Sequence, residues 1–133
     1  MKKILFAASE AVPFMKTGGL ADVTGSLPKY FDKKNYDVRV ILPKYVCMEE
    51  RWKGQLHFLC HFYVNLSWRK QYVGIFETTY DGITYYLVDN EFYFAGNAPY
   101  NNIYEDVEKF AFFSKAVLEA LPYLDFCPDI IHC

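Results

Sequence analysis

The sequence lacks the features that mark several large classes of protein. Its 14 Lys and Arg residues and 16 Asp and Glu residues form no long run of one sign, so charge gives no reason to expect nucleic-acid binding. No apolar stretch approaches the roughly 20 residues that span a bilayer. The run from Ile4 to Ala8 is also shorter than the apolar region of a secretion signal, which takes roughly 7–15 residues. These absences predict a soluble, cytoplasmic protein without nucleic-acid or membrane partners.

Cysteine is scarce and unpatterned. The chain has 4 cysteines and no CxxC pair, which favours reduced thiols over a disulfide framework or a zinc site. His57, Cys60 and His61 lie together in a strand-like segment, but the histidines share one face and Cys60 points to the other. Three metal ligands do not converge easily from that arrangement, so we expect ordinary strand residues and no metal.

What the chain does have is the pattern of an α/β domain. It is 133 residues long and 53% hydrophobic, enough for one core. A short apolar segment, Lys3 to Ser9, suits a strand buried on both faces of a parallel sheet. A helix follows from Gly19, and "NYDVRVILP" predicts a second strand, completing a parallel crossover unit. Pro28 should kink or shorten this helix. Its predicted buried face consists of Leu20, Val23, Leu27 and Phe31.

The middle of the chain predicts an antiparallel excursion inserted into this framework. Three segments between residues 56 and 89 are rich in aromatic and β-branched residues, and Asp81-Gly82 is a strong hairpin signal. A second helix should begin at Asn102, whose side chain can cap its first turn. Its predicted apolar face consists of Val107, Phe110, Val117, Leu118 and Leu121.

The segment Asp129 to Cys133 then predicts another parallel strand. No further strand follows to flank it, so we expect an exposed edge that promotes self-association of the chain. A strand in this last position also suggests a truncated domain.

One motif carries chemistry. In "KTGGLADV", Lys16 and two glycines lie between a strand and a helix, where parallel α/β folds bind ligands and where unpaired helix N–H groups favour an anion. Gly18 and Gly19 leave the backbone open to a ligand, and Lys16 adds a charge suited to phosphate. The alternative is a tight strand–helix connection beside a solvated lysine, and the residues alone leave the two about level. The motif is neither G-x-G-x-x-G nor a P-loop.

The stretch "SEAVPFMKTGGLADVTGSLPKYF" closely resembles the N-terminal motif of the bacterial and plant glycogen (starch) synthases that use ADP-glucose. The resemblance extends through "DVRVILPKY", "YYLVDNEFYF" and "EKFAFFSKA" to "PDIIHC", and so covers the chain. It implies that Lys16 contacts the donor phosphates, that Gly18 and Gly19 lie beside the sugar and diphosphate, and that Asp22 faces the active-site cleft. For Asp22, a first-turn acid that suits the helix dipole is an open alternative.

The resemblance implies the fold and activity as well. The expected fold is α/β, a Rossmann-like parallel sheet with an inserted antiparallel hairpin region, and residues 1–133 form the incomplete N-terminal domain of a two-domain GT-B glycosyltransferase. The parent enzyme would transfer glucose from ADP-glucose to the non-reducing end of an α-1,4-glucan with retention, without a cofactor. The C-terminal nucleotide-binding domain and the catalytic residues would lie outside this chain, which we therefore expect to be inactive alone.

Two family positions in this chain are not given catalytic roles. Tyr93 matches an aromatic near the cleft, but Ala95, Gly96 and Asn97 follow where the family commonly has an arginine, so packing is the preferred role of Tyr93. His132 matches a family histidine that we interpret as structural.

Two other functions are alternatives. The chain could be a non-catalytic module that binds a glucan or a protein through the aromatic-rich hairpin region, although we prefer core and sheet packing for those rings. A Rossmann-type redox protein is disfavoured, since G-x-G-x-x-G is absent.

Overall fold

The computed structural model describes residues 1–133, which form one six-stranded mixed sheet with helices on both faces. The strand order across the sheet is β3-β4-β5-β2-β1-β6. The strands are β1 Lys2–Ala7, β2 Tyr36–Pro43, β3 His57–Leu66, β4 Arg69–Tyr80, β5 Ile83–Asp89 and β6 Ile130–His132. The helices are α1 Gly19–Ser26, the single turn α2 Glu50–Lys53, and α3 Ile103–Ala120. The predicted α/β class is confirmed.

The opening strand–helix–strand unit forms as predicted. β1 pairs in parallel with β2, and every residue of β1 has a partner, from Lys2 opposite Tyr36 to Ala7 opposite Ile41. α1 ends at Ser26, and the chain tightens into a 3-10 turn, Leu27–Tyr30, which contains Pro28. The proline therefore shortens the helix, as its missing N–H requires.

Of the predicted buried face of α1, only Phe31 packs partly buried against the core, and it lies beyond the helix. Leu20, Val23 and Leu27 are exposed, and the helix instead buries Ala21, Thr24 and Gly25. Close approach to the preceding loop explains the difference, because a Cβ on Gly25 would lie 2.3 Å from Val12 Cγ2 and 2.8 Å from its carbonyl oxygen. Only small side chains allow that approach.

The antiparallel excursion is present, and it extends the parallel sheet at one edge. β3 pairs with β4 and β4 with β5 in antiparallel fashion, while β5 returns to pair in parallel with β2. Asp81 and Gly82 form the two-residue turn between β4 and β5, both at positive φ (51° and 80°), which is the backbone this turn requires.

The second crossover runs from β5 through α3 to β6, which pairs in parallel with β1 on the side away from β2. The predicted cap is confirmed, since the Asn102 carboxamide oxygen accepts from the Glu105 N–H at 3.0 Å. The predicted apolar face is correct at Val117, which is buried, and at Phe110 and Leu121, which pack partly buried against the core. It is wrong at Val107 and Leu118, which are exposed. The residues that α3 buries are Lys109, Phe112, Phe113, Ala116, Val117 and Ala120.

Two apolar clusters cover the two faces of the sheet. One packs the α3 face against Leu5, Ile41 and Val88, and the other packs Phe6, Val40 and Leu87 beneath the loop that precedes α1. None of the helices is both long and apolar enough to traverse a bilayer. The carboxyl ends of β1, β2 and β5 lie along one edge of the sheet, which brings the loops after these strands together.

Candidate functional site

The lysine–glycine turn, residues 16–19, connects the loop after β1 to the first residue of α1. Within it, Lys16 Nζ donates to Asp22 Oδ1 at 3.0 Å and lies 2.9 Å from Oδ2. Both side chains are about half exposed (54% and 53%), so the pair lies at the surface. The structure thus brings together two residues that the sequence predicted separately, because Asp22 occupies the first turn of the helix that Lys16 precedes.

The two glycines of the turn are not required by its backbone or its packing. Gly18 is extended, with φ −162°, a conformation any residue adopts, and Gly19 begins α1. Neither has a positive φ, and a Cβ on either would find no neighbouring atom within 4 Å. This disfavours the alternative in which the pair serves only a tight connection, since open space adjoins both residues.

The amino end of α1 has no side-chain cap. No side chain at Gly18 accepts from the first-turn N–H groups, which carry the partial positive charge of the helix terminus. Together with the Lys16 ammonium, these groups form an arrangement suited to an anion such as a phosphate. Asp22 limits the net charge, so the arrangement combines donors for phosphate with a carboxylate that can accept from a hydroxyl group.

Glu10 is a buried residue beside the lysine–glycine turn that the sequence interpretation missed. It is only 2% exposed, and its Oε2 accepts from the Thr17 N–H at 2.8 Å and from the Thr17 hydroxyl at 2.6 Å. The available signal was a carboxylate directly after a buried strand, where a charged side chain is kept only with partners. Its partner, seven residues away within a loop, could not be identified from helix or strand spacing.

Hydrogen bonds join this region to the loops after β2 and β5. The Tyr45 hydroxyl donates to the Ser9 carbonyl at 2.6 Å, and the Ser9 and Tyr100 hydroxyls lie 2.5 Å apart. Burial raises the pKa of the Tyr45 phenol, and the nearby Tyr100 and Glu10 raise it further. Burial also raises the pKa of Tyr100, with the Ser9 hydrogen bond opposing. Both phenols therefore stay protonated at neutral pH and can act as hydrogen-bond donors.

Tyr93 occupies a packed position. It is 5% exposed, and its ring stacks on Phe112 with centroids 4.7 Å apart. Its hydroxyl has no hydrogen-bond partner, and burial raises its pKa, with Glu108 adding to the effect. The structure places Tyr93 among the core residues rather than beside the lysine–glycine turn, in agreement with the preferred packing role.

The hairpin carries a group of neighbouring rings. We call Phe58, His61, Tyr63 and Tyr72 the hairpin ring cluster, in which His61 stacks on Phe58 and on Tyr72 at interplanar angles of 25° and 19°. Phe58 and Tyr63 are exposed and do not lie in the core, but each packs against the ring opposite it on β4, Phe76 and Tyr72 respectively, so the sheet packing expected for these rings is present. No group of three or more His, Cys, Asp or Glu side chains is placed to hold a metal ion.

Comparison with known proteins gives consistent results. The model of the starch synthase catalytic domain family matches residues 3–133. The chain is 68% identical over 133 residues to a glycogen synthase of Lachnoclostridium phytofermentans, covering 100% of this chain and 28% of that protein. A glycogen synthase of Lachnospira eligens is 63% identical with the same coverage.

A solved structure shares the fold. The catalytic domain of Starch Synthase IV from Arabidopsis thaliana, bound to ADP and acarbose, superposes with a TM-score of 0.76 at 28% sequence identity. The match covers 99% of this chain and 27% of that one. The chain therefore spans about 28% of the length of the curated relatives it matches.

Proposed function

The chain belongs to the starch synthase catalytic domain family, and from that premise we propose that it supplies one corner of a glucosyl-transfer site. The predicted resemblance is thereby confirmed. Residues 1–133 form the N-terminal portion of the catalytic region in a longer, two-domain enzyme. That enzyme transfers glucose from ADP-glucose to the non-reducing end of an α-1,4-glucan with retention of configuration. The proposed setting is the cytoplasm, and the 133-residue chain is inactive by itself.

The observation that carries the proposal is the open, glycine-lined space at the uncapped start of α1. Neither glycine is needed for conformation or packing, and Lys16 precedes them with only Thr17 between. Glycines at these two positions are explained if a ligand closely approaches the backbone here, because a side chain would block it. Phosphate groups bind helix termini in this way. We assign this space to the diphosphate and sugar of ADP-glucose, with Lys16, Gly18, Gly19 and Asp22 as its binding residues.

The proposed role of these residues in the reaction is to stabilise negative charge. Departure of ADP places negative charge on the diphosphate while the sugar becomes oxocarbenium-like. A lysine ammonium and helix N–H groups held near the phosphates stabilise that developing charge without reorganising. In the structure the Lys16 ammonium is held by Asp22, so an arriving phosphate would compete for it or share it, and the Asp22 carboxylate would become available to sugar hydroxyls.

The test uses a chimera, in which residues 1–133 replace the matching segment of the Lachnoclostridium phytofermentans glycogen synthase. Lys16→Ala should lower kcat/KM for ADP-glucose by about 100-fold, the usual loss for one electrostatic contact in a transition state. The melting temperature should stay nearly constant, because an exposed ion pair contributes only about 0–1 kcal/mol to stability.

Lys29→Ala is the matched control, since Lys29 also forms a surface ion pair, with Asp81 at 2.7 Å. It should leave kcat/KM unchanged. If Lys16→Ala and Lys29→Ala behaved alike, the assignment of Lys16 to the donor phosphates would be wrong.

A second candidate function is favoured by the hairpin ring cluster. Exposed rings such as Phe58 and Tyr63 can pack against sugar rings, so this surface suits a non-catalytic glucan-binding module. Titration of the 133-residue chain with maltooligosaccharide should then shift the NMR signals of these rings, while ADP-glucose shifts none in the lysine–glycine turn. Shifts confined to the turn would dismiss this candidate.

A further inference from the structure

Glu10 is a buried carboxylate whose hydrogen bonds both come from a single residue. Both bonds, at 2.8 and 2.6 Å, come from Thr17, which lies between Lys16 and Gly18. None of the ion pairs in the structure includes Glu10. We infer that Glu10 is the positioning residue of the lysine–glycine turn, and this inference rests on the proposed function of that turn.

The energetic cost of burying the Glu10 carboxylate suggests that its charge has a role beyond folding. Burying a carboxylate without a cation is costly, and a neutral side chain of the same shape would be cheaper for the fold. What the charge adds is strength, because hydrogen bonds to an ionised acceptor are shorter and stronger than neutral ones. Two such bonds to one residue fix both the backbone and the side chain of Thr17.

The rest of the loop is held by main-chain bonds up to the turn and again after it. The Met15 N–H donates to the Ala11 carbonyl at 3.0 Å, and the Val12 N–H donates to the Ala21 carbonyl at 3.1 Å. Between these points, the Thr17 N–H donates to the Glu10 side chain instead of to a main-chain carbonyl. Glu10 therefore anchors the middle of the turn, where Lys16 and Gly18 would meet the donor.

Such an anchor acts on the reaction through preorganisation. Groups that already occupy their binding positions lose less entropy on binding and need no rearrangement as charge develops. Glu10 itself, being buried beneath Thr17, is a positioning residue that acts through the turn. Its loss should affect the use of the donor and leave the use of the glucan acceptor unchanged.

Three conservative variants of the chimera test this. Thr17→Ser keeps the hydroxyl donor and should retain kcat/KM for ADP-glucose within about twofold, whereas Thr17→Val and Glu10→Gln should each lower it about tenfold, as loss of a charge-assisted bond implies. The change should fall mainly on KM for ADP-glucose, with KM for glycogen and the melting temperature nearly unchanged.

A double-mutant cycle separates positioning from general stability. If Glu10 acts through the turn that presents Lys16, Glu10→Gln should cost less than about threefold in kcat/KM in a Lys16→Ala background, because residues coupled through one backbone segment are non-additive. An equal loss in both backgrounds, or a fall in melting temperature with kinetics unchanged, would overturn the inference and leave Glu10 a fold residue.

Failure of the proposed function can be distinguished from failure of the inference about Glu10. A folded but inactive unmutated chimera would count against the glucosyl-transfer proposal alone. Amide hydrogen exchange in the 133-residue chain then decides the role of Glu10, with Thr17 as the reporter. Exchange at Thr17 about tenfold faster in Glu10→Gln would support the anchor, since tenfold corresponds to one weakened bond. Unchanged exchange would overturn it.

Discussion

At the scale of single residues, glycine has three different roles in this chain. Gly82 supplies the positive φ of the hairpin turn, and Gly25 allows α1 to pack closely on Val12. Gly18 and Gly19 do neither, since each faces open space without a positive φ. Some glycines are therefore needed for the fold and others are available for ligand binding, and a pair of substitutions can distinguish the two roles.

Gly19→Ala should make the fold slightly more stable and the enzyme less active. A methyl group at the first residue of α1 meets no atom within 4 Å and restricts the unfolded chain, which favours the fold by about 0.5 kcal/mol. The same methyl group would occupy the space assigned to the donor, so kcat/KM for ADP-glucose should fall at least about tenfold in the chimera, through lost approach to the backbone.

Gly25→Ala is the matched substitution within the same helix, and it should lower stability, because its Cβ would lie 2.8 Å from the Val12 carbonyl oxygen. Urea unfolding of the 133-residue chain measures both stability effects. Full activity of the Gly19→Ala chimera would contradict a ligand in this space.

At the scale of secondary-structure elements, the sequence predicted strands and turns better than helix faces. Short apolar runs identified β1, β2 and β6, and Asp81-Gly82 identified the hairpin, because these signals are local. The face of α1 was wrong, because large apolar residues were expected inside, whereas close packing selected small ones such as Ala21. The face of α3 was wrong only at Val107 and Leu118, which are exposed.

The burial of charged side chains depended on tertiary hydrogen bonds, which residue spacing could not predict. Lys109 is buried within α3 because its ammonium donates to the Pro99 carbonyl at 2.8 Å and to Asn101 Oδ1 at 2.7 Å. Glu10 is buried because of Thr17. In the candidate site, the motif indicated Lys16 and the glycines, while the anchor beneath them depends on a loop path that only the fold defines.

The free edge of β6 predicts self-association of the chain. β6 pairs only with β1, so its other edge is free, and Ile130 on it is exposed. We propose that the 133-residue chain self-associates through this edge at high concentration, as unprotected edges do. Sedimentation equilibrium should show oligomers that Ile130→Lys abolishes and that Tyr30→Lys, at an exposed position outside the sheet, does not. A monodisperse unmutated chain would contradict this.

At the scale of the whole molecule, we propose that the chain supplies only a part of an active site. It spans 28% of its curated glycogen synthase relatives and 27% of the matched starch synthase structure. In our account, residues 1–133 contribute the phosphate-contacting corner and its anchor, and the remaining catalytic groups come from the rest of the longer enzyme. On this proposal, activity requires the longer enzyme.

The most direct test of this account is glucose transfer from ADP-glucose to glycogen by the unmutated chimera, measured beside the parent glycogen synthase and the 133-residue chain. We predict that the chimera retains kcat/KM within about tenfold of the parent, a change of about 1.4 kcal/mol in the barrier, and that the chain alone transfers nothing. A chimera that folds with the melting temperature of the parent yet transfers no glucose would contradict the central claim.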